Sequence, residues 1–246
     1  MRVSLSDGLR YPVDARRPAD LLVAGGIVGI VAAMSLQLGV AVLPSLLGVG
    51  VLSLAGLAVL ALGGYLLRVF TATVDGSDSP PGFRPLGGLL GDGARLAILA
   101  VSFAVGPLAL VTITGVGLLR TEVATELTGF IGATAFFTAA TVLLMIVGTF
   151  GYIFPVAVGQ LADANFRSVL SIDGYRSVLG DSSYAVGWLF AALILVPGWA
   201  FLFVAVSTAT LFGVLSVFVS FYAHVVATRL VAVGYRESTV KSTRYA

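Results

Sequence analysis

The chain contains no cysteine, a single histidine (His224) and a single lysine (Lys241), and only 11% of its 246 residues are charged. Without Cys and with one His, disulfides, thiol nucleophiles, iron–sulfur clusters and Cys/His zinc sites are excluded. The shortage of charge excludes a whole class of protein, because a soluble domain carries about a quarter of its residues as Asp, Glu, Lys and Arg. Basic residues never form a patch interleaved with aromatics, so no nucleic-acid partner is expected. What fills the space is apolar: 58% of the chain is hydrophobic and the mean hydropathy is +1.04. These values belong to an integral membrane protein.

Charge-free stretches set the organisation, since a spanning helix needs about 20 mostly apolar residues. Residues 21–67 and 182–228 are each 47 long, enough for two helices and a tight turn. Pro44 marks the first turn, and the second is placed near Ser207-Thr208. Residues 96–119 make one span, and the apolar part of the charge-free run 127–162 makes another. Lipid offers no partners for backbone N–H and C=O groups, so these runs are read as helices bonded within themselves. No alternating ten-residue pattern of an outer-membrane barrel is present.

The expected architecture is therefore an all-α polytopic bundle, a single transmembrane domain over residues 1–246. Its six transmembrane helices, near 20–42, 46–67, 96–119, 129–155, 183–206 and 208–228, form three antiparallel pairs. Short interfacial helices lie in cytoplasmic loops near 68–95 and 160–182, and a basic, mobile tail follows from 229 to 246. The first run reads as a retained span, not a cleaved signal. Glycines 25, 26, 29, 48, 50, 56, 63 and 64 point to close packing of the first helix pair.

Thirteen of the fourteen basic residues fall on one side of these spans, and Arg120 alone falls on the other. This bias places both termini and the two longer loops in the cytoplasm of a cell-membrane protein. The opposite face is almost bare, with one short loop around Arg120, Glu122 and Glu126.

Gly64-Tyr65-Leu66-x-x-Val69 recurs as Gly151-Tyr152-Ile153-x-x-Val156, and Tyr222 stands near the end of the last span. A weak threefold repeat and ordinary interfacial anchoring by tyrosine both account for this pattern. Further residues carry a resemblance. Tyr11-Pro12, Gly25-Gly26, Gly64 to Val69, Pro80-Pro81-Gly82-Phe83 and Leu89-Leu90-x-Asp92-Gly93 stand in an order and spacing like those of a known family. Ala164-Asn165-Phe166, Tyr184, Trp188, Phe221-Tyr222, Arg229-Leu230 and Gly234-Tyr235-Arg236 continue it. Together they resemble the archaeal membrane proteins grouped as domain of unknown function 4013. The resemblance implies a multi-pass membrane protein and supplies no activity. It departs from the family pattern after the Pro-Pro pair, where Phe83-Arg84-Pro85-Leu86-Gly87 replaces an acidic, aromatic run.

The most distinctive polar segment runs from Thr71 to Gly93 and holds Asp75, Asp78, Pro80, Pro81, Phe83, Arg84 and Asp92, with Arg95 just beyond it. It reads either as a docking site for a protein or lipid partner or as a solvated loop. Leu86, Leu89 and Leu90 at i, i+3, i+4 suggest a short headgroup-plane helix feeding the third span. Arg68 with Asp92 and Arg95 reads as an ion pair, an anionic-lipid contact or topological marking. Asp75 and Asp78 are too few oxygen ligands for a hard cation. His224 reads as a residue of the water boundary or a pH switch.

The spans contain no Asp, Glu, Lys or Arg, which argues against a proton relay. Thr134, Thr138 and Thr141 share one helix face and form either a polar seam or bonds to their own i−4 carbonyls. Pro107, Pro155 and Pro197 are candidate kinks, and interrupted helices are how several transporters bind solute. With no catalytic set, no cofactor and no metal site in view, the leading expectation is a non-enzymatic scaffold or assembly subunit. The alternative is a transporter or channel-like protein for a small neutral or lipophilic solute. A lipid-acting enzyme comes third.

Overall fold

The structure is a computed structural model, and it describes residues 3–15, 17–120, 129–163, 169 and 172–245. Among the described residues every regular element is helical: α1 (Leu5–Arg10), α2 (Pro18–Ala41), α3 (Leu46–Val74), α4 (Leu86–Arg120), α5 (Gly129–Asp163), α6 (Ile172–Leu179), α7 (Ser182–Ser207) and α8 (Leu211–Tyr245). Six of them, all but α1 and α6, are long and apolar enough to cross a bilayer. Ala164-Asn165-Phe166, Glu122 and Glu126 lie outside the described residues.

Helix ends follow local chemistry. Pro18 opens α2 at a position where its missing N–H costs nothing. Pro44 holds the turn after Ala41, and the Ser45 hydroxyl then accepts the Gly48 N–H at 3.1 Å to cap α3. The last turn falls at Thr208–Thr210, where the Thr210 hydroxyl accepts the Gly213 N–H at 3.1 Å.

Several boundaries differ from those read off the sequence. α3 continues past Arg68 to Val74, and α4 begins at Leu86, so the loop expected at 68–95 is confined to residues 75–85. Leu86, Leu89 and Leu90 are the first turns of α4 and not a separate interfacial helix. The reason is that Arg68 neutralises Asp92 at 2.9 Å and Gly93 fits against α3, so neither residue stops the helix. The expected mobile tail from 229 is also absent: α8 runs unbroken to Tyr245, pinned by Arg229, Arg236 and Lys241. Pro107, Pro155 and Pro197 all lie inside continuous helices. A proline within a membrane helix is tolerated where the freed carbonyl finds another partner.

The chain divides into two compact units, Met1–Ala97 with Val156–Ala246, and Ile98–Pro155. In the first, α8 is the central helix, packed against α7, α3, α2, α1 and α6. Glycines make the close approaches, though only in part where the sequence suggested. Gly25, Gly26 and Gly29 of α2 receive Phe221, Phe218 and Val217 of α8, so they seat α8 and not the α2–α3 pair. Gly64 and Gly93 interlock α3 with α4, each facing backbone of the other helix at Leu89 and Leu60. Gly187 and Gly234 do the same for α7 and α8, with the Leu230 carbonyl oxygen 2.8 Å from where a Gly187 Cβ would stand. Between α2 and α3, Gly39 faces Leu52 and Gly48 faces the Gly39 carbonyl oxygen, whereas Gly50 and Gly56 face open space.

In the second unit Phe103 meets Phe154 edge-on, ring centroids 5.6 Å apart, and Phe150 lies beside Gly106. Several apolar side chains described in this unit face outward, Val101, Leu108, Ile113 and Leu144 among them. Such a surface suits lipid. Gly151, the counterpart of Gly64 in the sequence repeat, has nothing near its Cβ position, so the two glycines do not share a packing role, although Val69 and Val156 are both fully buried.

Candidate functional site

The polar residues of the first unit converge around Arg229, near the middle of α8. This side chain is 6% exposed. Its Nη1 donates to the Thr73 hydroxyl at 3.1 Å and to the Ser77 carbonyl at 2.6 Å, and its Nη2 donates to Asp78 Oδ1 at 2.9 Å. The guanidinium carbon lies 4.5 Å from the centroid of the Tyr11 ring. One side chain thus ties four pieces of chain: the amino-terminal segment, the end of α3, the 75–85 loop and α8. Only arginine serves here, because its planar fork donates along the edge while its face stacks on an aromatic ring.

Beneath this cation lies an aromatic core. Phe83 of the loop stacks on Tyr65 with centroids 4.2 Å apart and planes 2° from parallel, and Phe221 tilts against both. Tyr11, Leu21, Val69, Leu89 and Val225 complete the cluster. Tyr65 is fully buried, so it is a core residue and not the interfacial anchor its sequence position suggested. Burial raises the Tyr11 phenol above its ordinary value, with Arg229 acting in the opposite sense, and the ring stays neutral.

A second arginine fixes the far end of the loop. Arg68 Nε donates to Asp92 at 2.9 Å, while Nη1 and Nη2 donate to the carbonyls of Arg84 and Pro85 at 3.1 and 3.2 Å. The ion pair of Arg68 with Asp92 is therefore formed, and Arg95 stays outside it, exposed. The loop residues sort accordingly: Phe83 packs inward, Pro80 and Pro81 are half-buried, and Asp75, Ser79 and Arg84 are exposed, as is Asp78 although one of its oxygens accepts from Arg229. The segment is a strap bound to the bundle, not a free solvated loop.

The remaining candidates lie elsewhere. Thr141 donates to the Phe137 carbonyl at 2.7 Å, its own i−4 position, and Thr134, Thr138 and Thr141 are all exposed. They line no interior seam. His224 Nδ1 is bonded to the Ser220 carbonyl at 2.7 Å, within its own helix. No group of three or more metal-ligating side chains occurs among the described residues.

Farther along α8, Lys241 donates to both oxygens of Asp181 at 3.2 Å and to the Ser183 hydroxyl at 2.6 Å. Asp181 also caps α7, accepting the Ser183 N–H at 2.7 Å. Partial burial pushes this carboxyl up, but the bonds from Ser183 and Lys241 outweigh it and hold it below its ordinary value of 3.8. Its contribution to stability is therefore complete above that value and is lost as pH falls through the lowered folded one. Asp181→Ala is expected to cost about 1 kcal/mol at neutral pH, as a lost helix cap does. It should also flatten the acid side of the stability curve, read by thermal unfolding in detergent across a pH series. An acid limb identical to that of the parent protein would remove Asp181 from this role.

Arg229, Thr73 and Tyr11 were not legible as a site from sequence. Arg229 reads there as one more positive-inside marker, and Tyr11 as part of a family pattern. The available signal was that Arg229 directly ends a 47-residue charge-free run, at a depth where a lone cation needs shielding.

Comparison with known proteins fits this architecture. No curated protein and no solved structure matches the chain. The family described as "Protein of unknown function (DUF4013)" matches residues 46–211, from the start of α3 to the start of α8 and about two thirds of the whole. With six apolar helices of spanning length, the chain is a multi-pass integral membrane protein, and it belongs to the DUF4013 family.

Proposed function

We propose that the protein is a non-enzymatic membrane component, a scaffold or assembly subunit, that displays the 75–95 region to a cytoplasmic partner. The observation that carries this reading is the fixing of the strap from within. Arg68 and Arg229 hold its carbonyls and Asp78, while Asp75, Ser79, Arg84 and Arg95 project outward from a braced backbone. A surface held in place before binding loses little conformational entropy when a partner arrives. The cytoplasmic orientation, with both termini on that side of the cell membrane, rests on the thirteen-to-one distribution of Arg and Lys. Pro107, Pro155 and Pro197 lie inside continuous helices, so the transport alternative has no interrupted helix to support it among the described residues.

The test is mass spectrometry of the protein extracted gently in native lipid, with bound proteins identified. Deleting the strap is uninformative, since it also uncovers Tyr65 and strands Arg229. Arg84→Glu, Arg95→Glu and Asp75→Lys reverse exposed charges and leave the bracing intact. A stoichiometric protein partner lost in these variants, at an unchanged melting temperature, is the expected result. A retained solute or lipid, no protein partner and indifference to all three substitutions would overturn the proposal.

A further inference from the structure

The strap is one of two covers over the same core. The other is the amino-terminal segment, residues 3–15. Gly8 of α1 sits directly on Leu230, whose Cδ2 is 2.5 Å from where a Gly8 Cβ would stand. The Tyr222 hydroxyl donates to the Leu9 carbonyl. Tyr11 and Pro12 are buried. From this side Tyr11 and Ala15 close the aromatic cluster that Phe83 closes from the strap side. Tyr65 is therefore sealed by two segments more than 60 residues apart in sequence.

We propose that Arg229 joins these covers into a single latch, so that the amino-terminal segment and the 75–85 strap close and open together. The division of labour in the guanidinium is the reason. Its edge donates to Ser77 and Asp78 of the strap and to Thr73 of α3, and its carbon lies over the Tyr11 ring of the segment, 4.5 Å from the centroid. Releasing the strap leaves the guanidinium edge with the Thr73 hydroxyl alone, a single bond about which it can turn off Tyr11. Withdrawing Tyr11 removes the surface that orients the plane toward the strap. Stacking of this kind strengthens when the pair is desolvated, which each cover does for the other. Asp78 is 75% exposed while Arg229 is 6% exposed, so the latch is reached from solvent at Asp78. The latch stands independently of what binds the outer face.

Hydrogen exchange of the full chain in lipid nanodiscs tests it. Protected amides report each cover: those of Tyr11, Val13 and Asp14 for the segment, and those of Asp75, Gly76 and Ser77 for the strap. Asp78→Asn touches only the strap, and Tyr11→Leu only the segment. Each is expected to speed exchange in both covers by roughly tenfold, the factor carried by about 1.4 kcal/mol. In an Arg229→Lys background, where charge remains but the fork and face are gone, each substitution should act on its own cover alone. If Tyr11→Leu also loosens α3 at Ser53–Leu60, the exposed Asp78→Asn decides by itself, because it leaves every apolar contact in place. Acceleration at Tyr11, Val13 and Asp14 in that variant supports the latch. Parent-like protection there, with only the strap loosened, overturns it.

Discussion

Replacing Arg229 by leucine is expected to cost about 3 kcal/mol of stability, while replacing its partner Asp78 by alanine costs about 1. The asymmetry follows from exposure. Arg229 makes three hydrogen bonds and a ring contact in a buried setting, and removing it leaves the Ser77 carbonyl and the Thr73 hydroxyl without their donor. Asp78 is largely in water and regains solvation when its partner is lost. Removing the aspartate leaves the guanidinium with the Ser77 and Thr73 oxygens, so the strap loosens but stays attached. Unfolding in detergent, followed by helicity, gives both values. Equal losses for the two variants would mean that the exposed ion pair, and not the buried fork, anchors this end of the bundle.

Gly64→Val is expected to be as damaging, at about 3 kcal/mol or outright failure to assemble. A Cβ at Gly64 runs into the Leu89 carbonyl of α4, and one at Gly93 into the Leu60 carbonyl of α3, so backbone meets backbone and no side chain can swing aside. Interlocked glycines of this kind let membrane helices touch where no hydrophobic force between them exists. Gly56→Ala, eight residues earlier on the same helix, faces open space and should be neutral or stabilising by up to about 1 kcal/mol, the difference in helix propensity. Melting temperature and yield of folded protein in detergent measure both. Comparable losses at the two positions would show that helix propensity, and not contact with α4, governs this stretch. A tolerated Gly64→Val would mean that α3 and α4 can slide apart without penalty.

Why one glycine matters and the other does not cannot be read from the chain. Gly56 and Gly64 share a helix and an apolar context, and composition marks both equally. Runs of about 20 apolar residues admit only helices in lipid, so six spanning helices and the turns at Pro44 and Ser207-Thr208 were legible from local chemistry alone. The one-sided distribution of Arg likewise gave an expected orientation. Arg68 with Asp92 was within reach of sequence reasoning because both stand at predicted helix ends.

The rest depended on contacts between distant segments. Tyr11, Thr73, Asp78 and Arg229 meet because the segment around α1 folds back on α8 and the strap reaches its middle, across separations of more than 150 residues. Helix lengths changed for the same reason. Arg68 and Arg229 interrupt hydropathy and so end an apolar window, yet each is neutralised by a neighbour, which lets α3 run on to Val74 and α8 to Tyr245. Hydropathy measures what a residue costs in lipid by itself. Where these helices end, and which charges brace the strap, is set by the partner each residue finds once the bundle has closed.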